Sequence, residues 1–341
     1  MTYLGELIGE SDQIQTVRWF IKRVAESQAR AVLIYGETGT GKGLVARMVH
    51  EQSPRARKRF IDINCSAIPE NLVESELFGH EKGAFTGAQA RKTGLIEAAN
   101  GGTVFLDELR ELDHVVQAKL LSLLDTQRFR LIGAVRDIEV DVRFIGSTNR
   151  VLYREVLEGR FRDDLYYRLQ VVAINIPPLR ERGDDCLVLM SYFIRKFNSR
   201  YGREIKGWEP AVAEVFRHHR WPGNVRELEN LLERIFILED DNQVLVKHIP
   251  PRIMREVEKT EPATPGKARL IGGPEIVGEG IDAEGMDAWQ DLSFQEATAA
   301  FQTHLLESTL QRYGGNLTEA AESLGMTRHA LRHHMIKLGL R

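Results

Sequence analysis

The chain has 341 residues, of which 43% are hydrophobic and 28% charged, and its formal net charge is −3. This length predicts two domains with room for a small third one, and the balanced charge excludes a global attraction to nucleic acid, so that DNA binding would need a local basic patch. The two cysteines, Cys65 and Cys186, exclude a disulfide framework and a CxxC motif, and no signal peptide or membrane span is recognisable, so we expect a cytoplasmic protein without a membrane span.

Five short apolar runs between residues 31 and 174 predict β-strands. Because these runs are mostly unbroken rather than alternating, they predict strands that are buried on both faces, as in a parallel sheet flanked by helices. A further segment, 128–145, alternates around Gly133 and Asp137 and predicts a hairpin. The five runs are 31–35, 60–63, 103–106, 142–145 and 171–174.

The first of these strands leads into a phosphate-loop pattern, GxxxxGK, which is followed by the helical stretch Leu44–Val49. Backbone N–H groups of such a loop can surround phosphates, the lysine can reach their oxygens, and the helix N-terminus favours negative charge. A tight strand-to-helix turn is the alternative. Position 43 is glycine where such a loop usually carries Ser or Thr, so the usual hydroxyl ligand of Mg²⁺ is missing. The predicted nucleotide-binding residues of the loop are Gly36, Glu37, Thr38, Gly39, Thr40, Gly41, Lys42 and Gly43.

A six-residue stretch without charge, GAFTGA, follows further along the chain. Its glycines loosen the backbone, and its one aromatic and one hydroxyl side chain could contact a partner if they are displayed on the surface. A simple turn is the alternative. The six residues are Gly83, Ala84, Phe85, Thr86, Gly87 and Ala88.

Two later strands end in polar residues. The strand that closes with Asp107 and Glu108 predicts a carboxylate that holds Mg²⁺ and a second one that orients or deprotonates the attacking water, although a helix cap would also fit an Asp-Glu pair. Asn149 follows the strand at 142–145 and could bond the water or the γ-phosphate, with a capping or turn role as the alternative. These residues predict an ATP and Mg²⁺ site together with the phosphate loop.

The pattern turns helical after Pro177-Pro178, with helices predicted near 185–200, 210–219 and 224–238. Asn224 is predicted to cap the third helix, with Glu227 three residues further on. Residues 256–291 contain six glycines and nine acids against three bases, which predicts a disordered acidic linker.

The last part of the chain, from Gly315 to Leu340, has the form of a helix–turn–helix. Asn316 is predicted to cap the first helix, and Leu317, Ala320, Ala321 and Leu324 form its buried stripe. The second helix starts at Thr327 and has four Arg/Lys residues and no acids from there on, which predicts a DNA-binding patch, with a helical dimerisation module as the alternative. A helix before it, with Phe294, Ala297, Phe301 and Leu305 on one stripe, would suit dimerisation. The predicted DNA-contacting residues are Thr327, Arg328, His329, Arg332, His333 and Lys337.

The order of phosphate loop, Asp-Glu strand, polar-tipped strand and helical lid resembles an AAA+ ATPase. Within that superfamily, GAFTGA resembles the signature of the bacterial enhancer-binding proteins, which activate the sigma-54 form of RNA polymerase, and the C-terminal segment resembles a Fis-type DNA-binding domain. Ser147 departs from the family pattern, which usually has Ala before Thr-Asn, and Gly43 replaces a residue that is commonly acidic. Supporting stretches are 76–81, 161–169, 177–182 and 221–228.

This resemblance implies an α/β AAA+ nucleotide-binding fold with a helical lid and a ring of subunits, expected to be a hexamer. It implies that Arg162 and Arg168 are arginine fingers for a neighbouring subunit, that Arg226 senses the γ-phosphate, and that Asn64 restrains Glu108. It further implies enhancer DNA and sigma-54 RNA polymerase as partners, with the GAFTGA loop contacting sigma-54. The expected divisions are 1–176 for the nucleotide-binding part, 177–255 for the lid, 256–291 for the linker and 292–341 for the DNA-binding part.

Two other functions stay open on the sequence. One is a DNA-binding regulator whose nucleotide domain is only structural or regulatory, and the other is a general AAA+ remodeller with a DNA-binding tail. Because the ATPase pattern begins within the first ten residues, we expect no sensory module before it. The resemblance to phage-shock-type activators then implies control in trans, by an inhibitory protein or by expression level.

Overall fold

The computed structural model describes residues 6–149 and 152–258 and, in the C-terminal part, residues 303, 306, 308–310, 313, 314, 316–323, 331 and 335. The chain divides into two compact units, Met1–Thr264 and Pro265–Arg341. Most of the predicted linker and the stripe residues Phe294, Ala297, Phe301 and Leu305 lie outside the described residues. So do the six predicted DNA-contacting residues, Thr327, Arg328, His329, Arg332, His333 and Lys337.

A five-stranded parallel sheet forms the centre of the first unit, in the order β2-β5-β8-β1-β9. The predicted parallel sheet is therefore confirmed. The strand at 142–145 begins at Arg143 and continues to Thr148, whereas the last predicted strand begins only at Ala173 and ends at Asn175. The strands are β1 (Ala31–Tyr35), β2 (Phe60–Asn64), β5 (Thr103–Asp107), β8 (Arg143–Thr148) and β9 (Ala173–Asn175).

The three inner strands β1, β5 and β8 are buried on both faces, as their unbroken apolar sequences predict. The edge strands β2 and β9 are only partly buried, so the prediction is wrong for them. In β1, Val32 and Ile34 pack with apolar residues of the first two helices, while Leu33 belongs to the core on the opposite face. The sheet thus lies between two helical layers. The helices of this unit before the lid are α1 (Asp12–Ala25), α2 (Lys42–Glu51), α3 (Glu70–Phe78), α4 (Leu95–Ala98), α5 (His114–Thr126), α6 (Leu152–Leu157) and α7 (Asp163–Leu169).

Two small antiparallel ribbons project from this framework. The first pairs β3 (Gly79–His80) with β4 (Lys92–Thr93) and carries the GAFTGA segment between helices α3 and α4. The second pairs β6 (Arg128–Phe129) with β7 (Ile138–Glu139). The predicted hairpin is therefore present but ends at Glu139, because the residues from Arg143 onward form the central strand β8.

The lid is helical and has its own apolar core, which includes Met190, Phe197, Phe216 and Trp221. The three predicted lid helices are confirmed within one residue at each end. A fourth helix reaches Glu258, so the first three residues of the predicted linker are helical. The lid helices are α8 (Asp185–Tyr201), α9 (Pro210–His218), α10 (Asn224–Leu238) and α11 (Pro251–Glu258).

In the C-terminal unit, α12 (Leu317–Ser323) begins after Asn316, whose Oδ1 accepts a hydrogen bond from the Thr318 amide at 3.1 Å. The predicted N-cap is therefore confirmed. Ala320 and Ala321 pack in a buried cluster with Leu331 and Met335, and Leu317 borders it. Among the described residues of the whole chain, no helix is both long and apolar enough to cross a membrane.

Two Gly→Ala substitutions test the packing around the sheet. A Cβ atom at Gly146 in β8 would lie 2.3 Å from Leu109 Cδ1, and Leu109 is fully buried. We expect Gly146→Ala to lower the free energy of unfolding by about 1–3 kcal/mol, the usual effect of overpacking a core. A Cβ atom at Gly43 in α2 would meet only Phe105, at 3.6 Å, so Gly43→Ala should instead raise that free energy by about 0.5–1 kcal/mol.

Chemical denaturation of both variants beside the wild type measures the two changes. Equal stability of Gly146→Ala and wild type would show that Leu109 does not need the space beside the strand.

Candidate functional site

The segment between β1 and α2 forms a loop whose backbone accepts a hydrogen bond from the loop's own lysine, Lys42. Gly39 and Gly41 have φ values of 81° and 101°, and α2 begins at Lys42. The Lys42 ammonium is buried and donates a hydrogen bond to the Gly36 carbonyl at 3.1 Å. The loop therefore has the shape of a phosphate loop, with the lysine folded over its own backbone.

The lid lies directly against this loop. A Cβ atom at Gly39 would be 2.2 Å from the Gly223 carbonyl oxygen, so only glycine fits at that position. The Val225 amide also donates to the Gly39 carbonyl at 3.1 Å. Loop and lid are thus in backbone contact at the point where phosphates would enter.

Asn224 joins three segments at this contact. Its Oδ1 accepts from the Leu179 amide at 2.7 Å, and its Nδ2 donates to Glu37 Oε2 and to the Thr38 carbonyl, both at 3.1 Å. Arg180 completes the group with two hydrogen bonds to the Glu37 carboxylate, at 2.8 and 2.7 Å. These hydrogen bonds from Arg180 are the main reason why the pKa of Glu37 is lowered.

The prediction that Asn224 caps α10 is wrong. Gly223 occupies the cap position, and Asn224 is the first helical residue, with a φ of 51°. The Gly223 amide instead donates a hydrogen bond to Glu227 Oε2 at 2.9 Å. The side chain of Asn224 points away from its own helix start because the phosphate loop and Leu179 supply better-placed partners.

Arg182 also hydrogen-bonds the backbone of the phosphate loop. It is 1% exposed, and burial lowers its pKa to about 10, so it stays charged at neutral pH. Its guanidinium donates to the Pro177 carbonyl at 2.8 Å and to the Thr40 carbonyl at 3.3 Å. A buried cation therefore anchors the loop to the segment that begins the lid.

The carboxylates at the end of β5 lie beside the phosphate loop. Asp107 Oδ1 accepts hydrogen bonds from the Ser147 hydroxyl and from the Glu108 amide, the latter at 3.1 Å. Glu108 has a left-handed backbone with φ 56°, and its Oε1 lies 3.8 Å from Lys42 Nζ. The strand end therefore directs both acids to the same region as the lysine.

These groups line a cavity of about 540 Å³, within the usual range of small-molecule sites. One end is polar, with residues 38–43, Asp62, Asp107 and Glu108, and burial raises the pKa of Asp62. The other end is largely apolar and includes Leu7, Ile8, Leu189, Tyr192 and Phe193, while Arg226 reaches the cavity from the lid.

This donor set fits a nucleotide with Mg²⁺. Oxygen ligands are the ones that Mg²⁺ prefers, and the acids at the polar end supply them. Glu108 Oε2 is buried and accepts no hydrogen bond in the described part of the chain, which leaves it available to a water or ligand. Gly43 offers no hydroxyl, so the carboxylate of Asp107 would have to serve as the protein ligand in its place.

Two predicted site residues, Asn149 and Asn64, are not among the residues that line the cavity. Asn149 does not line the cavity, although its Oδ1 is buried without a hydrogen-bond partner among the described residues. Asn64 pairs in register with Asp107, but its Oδ1 accepts from the amide and hydroxyl of Ser66, at 3.1 and 2.7 Å. Within the described ranges no hydrogen bond joins Asn64 to Glu108, so the predicted restraint by Asn64 is not made in this structure.

The predicted arginine fingers lie on or next to α7 and do not line the cavity of their own subunit. Arg162 makes two hydrogen bonds to Asp164, at 3.0 and 2.6 Å, and Arg168 Nε lies 2.8 Å from Asp125 Oδ1. Both side chains are partly exposed.

The GAFTGA segment is a compact turn rather than an open stalk. The Gly83 amide donates a hydrogen bond to the Ala88 carbonyl at 2.8 Å. Gly83 and Gly87 have positive φ values. Phe85 is 42% exposed, and its ring meets the edge of His80 at a centroid distance of 4.9 Å. The aromatic side chain is thus on the surface while resting on a buried histidine.

Sequence reasoning missed several residues that shape the site. Asp62 sits in the middle of a strand, and Arg180, Arg182 and Asn224 are distant in sequence from the loop they hold. In the sequence, Ser147 stands out only as a departure from a family pattern, yet its hydroxyl donates a hydrogen bond to Asp107. The alternating position of Asp62 in β2 was the one local signal that could have indicated a polar side chain facing the cavity.

Three family models match the chain in succession. Residues 7–175 match a sigma-54 interaction domain, residues 180–265 an AAA+ ATPase lid domain, and residues 298–338 a bacterial regulatory protein of the Fis family.

Among similar proteins, the nitrogen fixation protein AnfA of Azotobacter vinelandii is 40% identical over 98% of this chain and 58% of its own length. The chain thus spans somewhat more than half of that relative. The regulatory protein AtoC of Escherichia coli is 39% identical over 98% of this chain and 68% of its own length. Crystal structures of NtrX from Brucella abortus with ADP and with ATP are 33% identical, cover 98% of this chain and 70% of their own, and have TM-scores of 0.68 and 0.67.

The contact between loop and lid predicts a loss of nucleotide affinity in Asn224→Asp. The new carboxylate would face Glu37 in place of the amide donor, so like charges would push the lid from the loop. We expect the dissociation constant for a fluorescent ADP to rise about tenfold, which corresponds to ~1.4 kcal/mol.

Asn198→Asp is the matched control, because the Asn198 side chain hydrogen-bonds the Ile205 backbone inside the lid and does not line the cavity. Unchanged ADP affinity in Asn224→Asp, or an equal loss in both variants, would contradict a role of Asn224 at the nucleotide.

Proposed function

The chain belongs to the bacterial enhancer-binding proteins, the AAA+ regulators that act with the sigma-54 form of RNA polymerase, and from this premise we propose that it is an ATP-driven activator of transcription. It binds enhancer DNA, assembles into a hexameric ring and hydrolyses ATP. Hydrolysis drives the GAFTGA loop against sigma-54 in the closed promoter complex, so that the DNA can open.

One observation carries this proposal: the phosphate loop, two strand-end carboxylates and a lid arginine line a single cavity, while Phe85 stands on the surface. A nucleotide domain with a purely structural role would not need Asp107 and Glu108 beside Lys42. The AAA+ fold thus has the parts of a hydrolase together with a displayed contact loop.

Each cavity residue then has a defined task. Bound ATP with Mg²⁺ supplies the phosphoryl group and the charge that neutralises its oxygens. Lys42 would exchange the Gly36 carbonyl for phosphate oxygens, and Asp107, oriented by Ser147, would hold the metal. Glu108 would take the proton of the attacking water, and Arg226 would bring the lid to the phosphates. Asn149 would orient the water from the neighbouring strand.

Arg162 and Arg168 would complete the site of the next subunit. They lie outside their own cavity and are partly exposed, so they can exchange Asp164 and Asp125 for a neighbour's phosphates. A planar guanidinium stabilises the charge that develops in phosphoryl transfer. A head-to-tail contact closes into a ring when the rotation between subunits allows it, and the proposed ring requires that rotation.

The route from the site to the loop follows the chain. Asn64 pairs with Asp107 across β2 and β5 and caps the turn Cys65–Ala67, which precedes α3. Helix α3 leads directly into the ribbon that carries GAFTGA. A shift at the strand ends would therefore be carried by one continuous segment to Gly83, Ala84, Phe85, Thr86, Gly87 and Ala88.

The remaining parts of the chain would hold the ATPase part, the motor, at its promoter. We propose that residues 292–341 bind the enhancer through the second helix of the helix–turn–helix, that residues 256–291 connect it to the lid, and that 1–176 and 177–255 form the two parts of the motor. Control by an inhibitory protein in trans also remains a proposal.

The loop predicts a separation of hydrolysis from activation. Phe85→Ala and Thr86→Ala should keep ATP turnover within about twofold of wild type, because neither residue lines the cavity, and should lose nearly all sigma-54-dependent transcription in vitro. Phe20→Ala is the matched control, since Phe20 is 41% exposed on α1. Full activation by both loop variants would refute the proposed contact.

The trans arrangement predicts complementation between two inactive proteins. Lys42→Ala and Arg168→Ala should each lose about 100-fold or more in ATPase kcat. In a 1:1 mixture, about a quarter of the interfaces pair an intact lysine with an intact arginine, so about a quarter of wild-type activity should return. A mixture as inactive as its components would contradict a site shared between subunits.

A further inference from the structure

A second cleft lies at the edge of the central sheet opposite the phosphate loop. Its walls come from the segments that lead into β1, β2, β5 and β8, so it lies at the amino ends of these parallel strands. The phosphate loop and Asp107 lie at the carboxyl ends. The second cleft has a volume of about 510 Å³, close to the 540 Å³ of the nucleotide cavity, and the two share no lining residue.

Positive charge predominates in this second cleft. Among the described residues that line it are four cationic side chains and one carboxylate, which leaves a surplus of three positive charges. The carboxylate, Asp141, pairs with Arg55 at 2.7 Å. Three cations thus remain without a carboxylate partner in the described part of the chain, and they are Arg30, Lys58 and Arg143.

Arg143 is the buried member of this group. It is 4% exposed, and its guanidinium donates to the carbonyls of Val24 and Ala25, at 2.6 and 3.2 Å, where α1 ends. These bonds use two of the five N–H donors of an arginine. Its Nε is buried and has no hydrogen-bond partner among the described residues, although buried polar atoms nearly always have one. The protein itself therefore satisfies this cation only in part.

The charge on Arg143 is also costly to keep. Burial lowers the pKa of Arg143, and the neighbouring Arg55 lowers it further. A buried charge is stable when an opposite charge compensates it. An anion in the second cleft would supply that charge to Arg143 and reduce its repulsion with Arg55.

The side chains in this cleft indicate the chemical class of such an anion. A surplus of three charges attracts a multiply charged anion more strongly than a single carboxylate or chloride. Guanidinium groups match phosphate oxygens in pairs, and a lysine adds a point charge to them. The volume lies within the range of small-molecule sites and exceeds what one phosphate fills. These properties together favour a ligand that carries two phosphates.

We infer that this second cleft is a binding site for a small phosphorylated anion with at least two phosphate groups, held by Arg30, Lys58 and Arg143. The inference goes beyond the proposed function, because the site lies away from the nucleotide cavity and takes no part in hydrolysis.

Isothermal titration calorimetry of the full chain with inorganic pyrophosphate tests this site. The titrations use Lys42→Ala, so that the phosphate loop does not compete, and about 0.15 M sodium chloride, which screens distant charges. One pyrophosphate should bind per chain. Adding Arg30→Gln and Lys58→Gln should raise its dissociation constant about tenfold or more, because two charged donors are lost.

Lys22→Gln with Arg57→Gln, in the same background, is the matched control. This pair removes two positive charges from exposed positions on α1 and before β2 that do not line the second cleft. Pyrophosphate affinity should stay unchanged in it. Both double variants should unfold at the temperature of their parent, since the four replaced side chains make no ion pair within the described ranges.

A parallel titration with fructose 1,6-bisphosphate distinguishes two sources of the phosphates. Tighter binding of the bisphosphate than of pyrophosphate would identify an organic phosphate ester as the ligand. Tighter binding of pyrophosphate would identify an inorganic diphosphate.

Three results would overturn the inference. Pyrophosphate binding that is present in the wild type and absent in Lys42→Ala would place the anion in the phosphate loop. An equal loss of affinity in both double variants would reduce the effect to general attraction between charges. Absence of binding by both small anions, with weaker binding of duplex DNA only in Arg30→Gln/Lys58→Gln, would make the cleft a contact for DNA.

Discussion

The hydrogen-bonded contact between lid and phosphate loop is the interaction on which the rest of the site depends. Asn224 is fully buried and bonds Leu179, Glu37 and Thr38, while Arg180 holds the Glu37 carboxylate. A buried amide that lost these partners would be left unsatisfied at a cost of about 1–3 kcal/mol. The lid therefore cannot move without disturbing the loop, and a ligand that displaces the loop must also move the lid.

This coupling between lid and loop also links the two ends of the cavity. The apolar end is built partly from lid residues such as Tyr192 and Phe193, whereas the polar end is built from the loop and the ends of β2 and β5. A molecule that fills both ends, as a nucleotide would, contacts both subdomains at once. Binding can then bias the lid because the bound form has contacts that the free form lacks.

Charge competition distinguishes the polar end from a simple binding pocket. One carboxylate oxygen of Glu108 lies 3.8 Å from Lys42 Nζ and the other lies 3.8 Å from Arg110 Nε, and neither contact is a hydrogen bond. Loose ion pairs rearrange when a phosphate enters, whereas the tight pairs elsewhere, such as Arg180 with Glu37, hold the frame. The site thus combines a rigid support with a group of charged side chains whose contacts can change.

The sequence by itself determined the parallel sheet, the phosphate loop, the strand that ends in Asp107 and the three main lid helices, because apolar periodicity and glycine spacing are local signals. Only the tertiary structure decided that Asn224 binds the loop instead of capping its helix, that Asn64 bonds Ser66, and that Arg110 faces Glu108. These contacts depend on which segments meet in space. A side chain with several possible partners takes the one that packing brings nearest, and no local pattern encodes that choice.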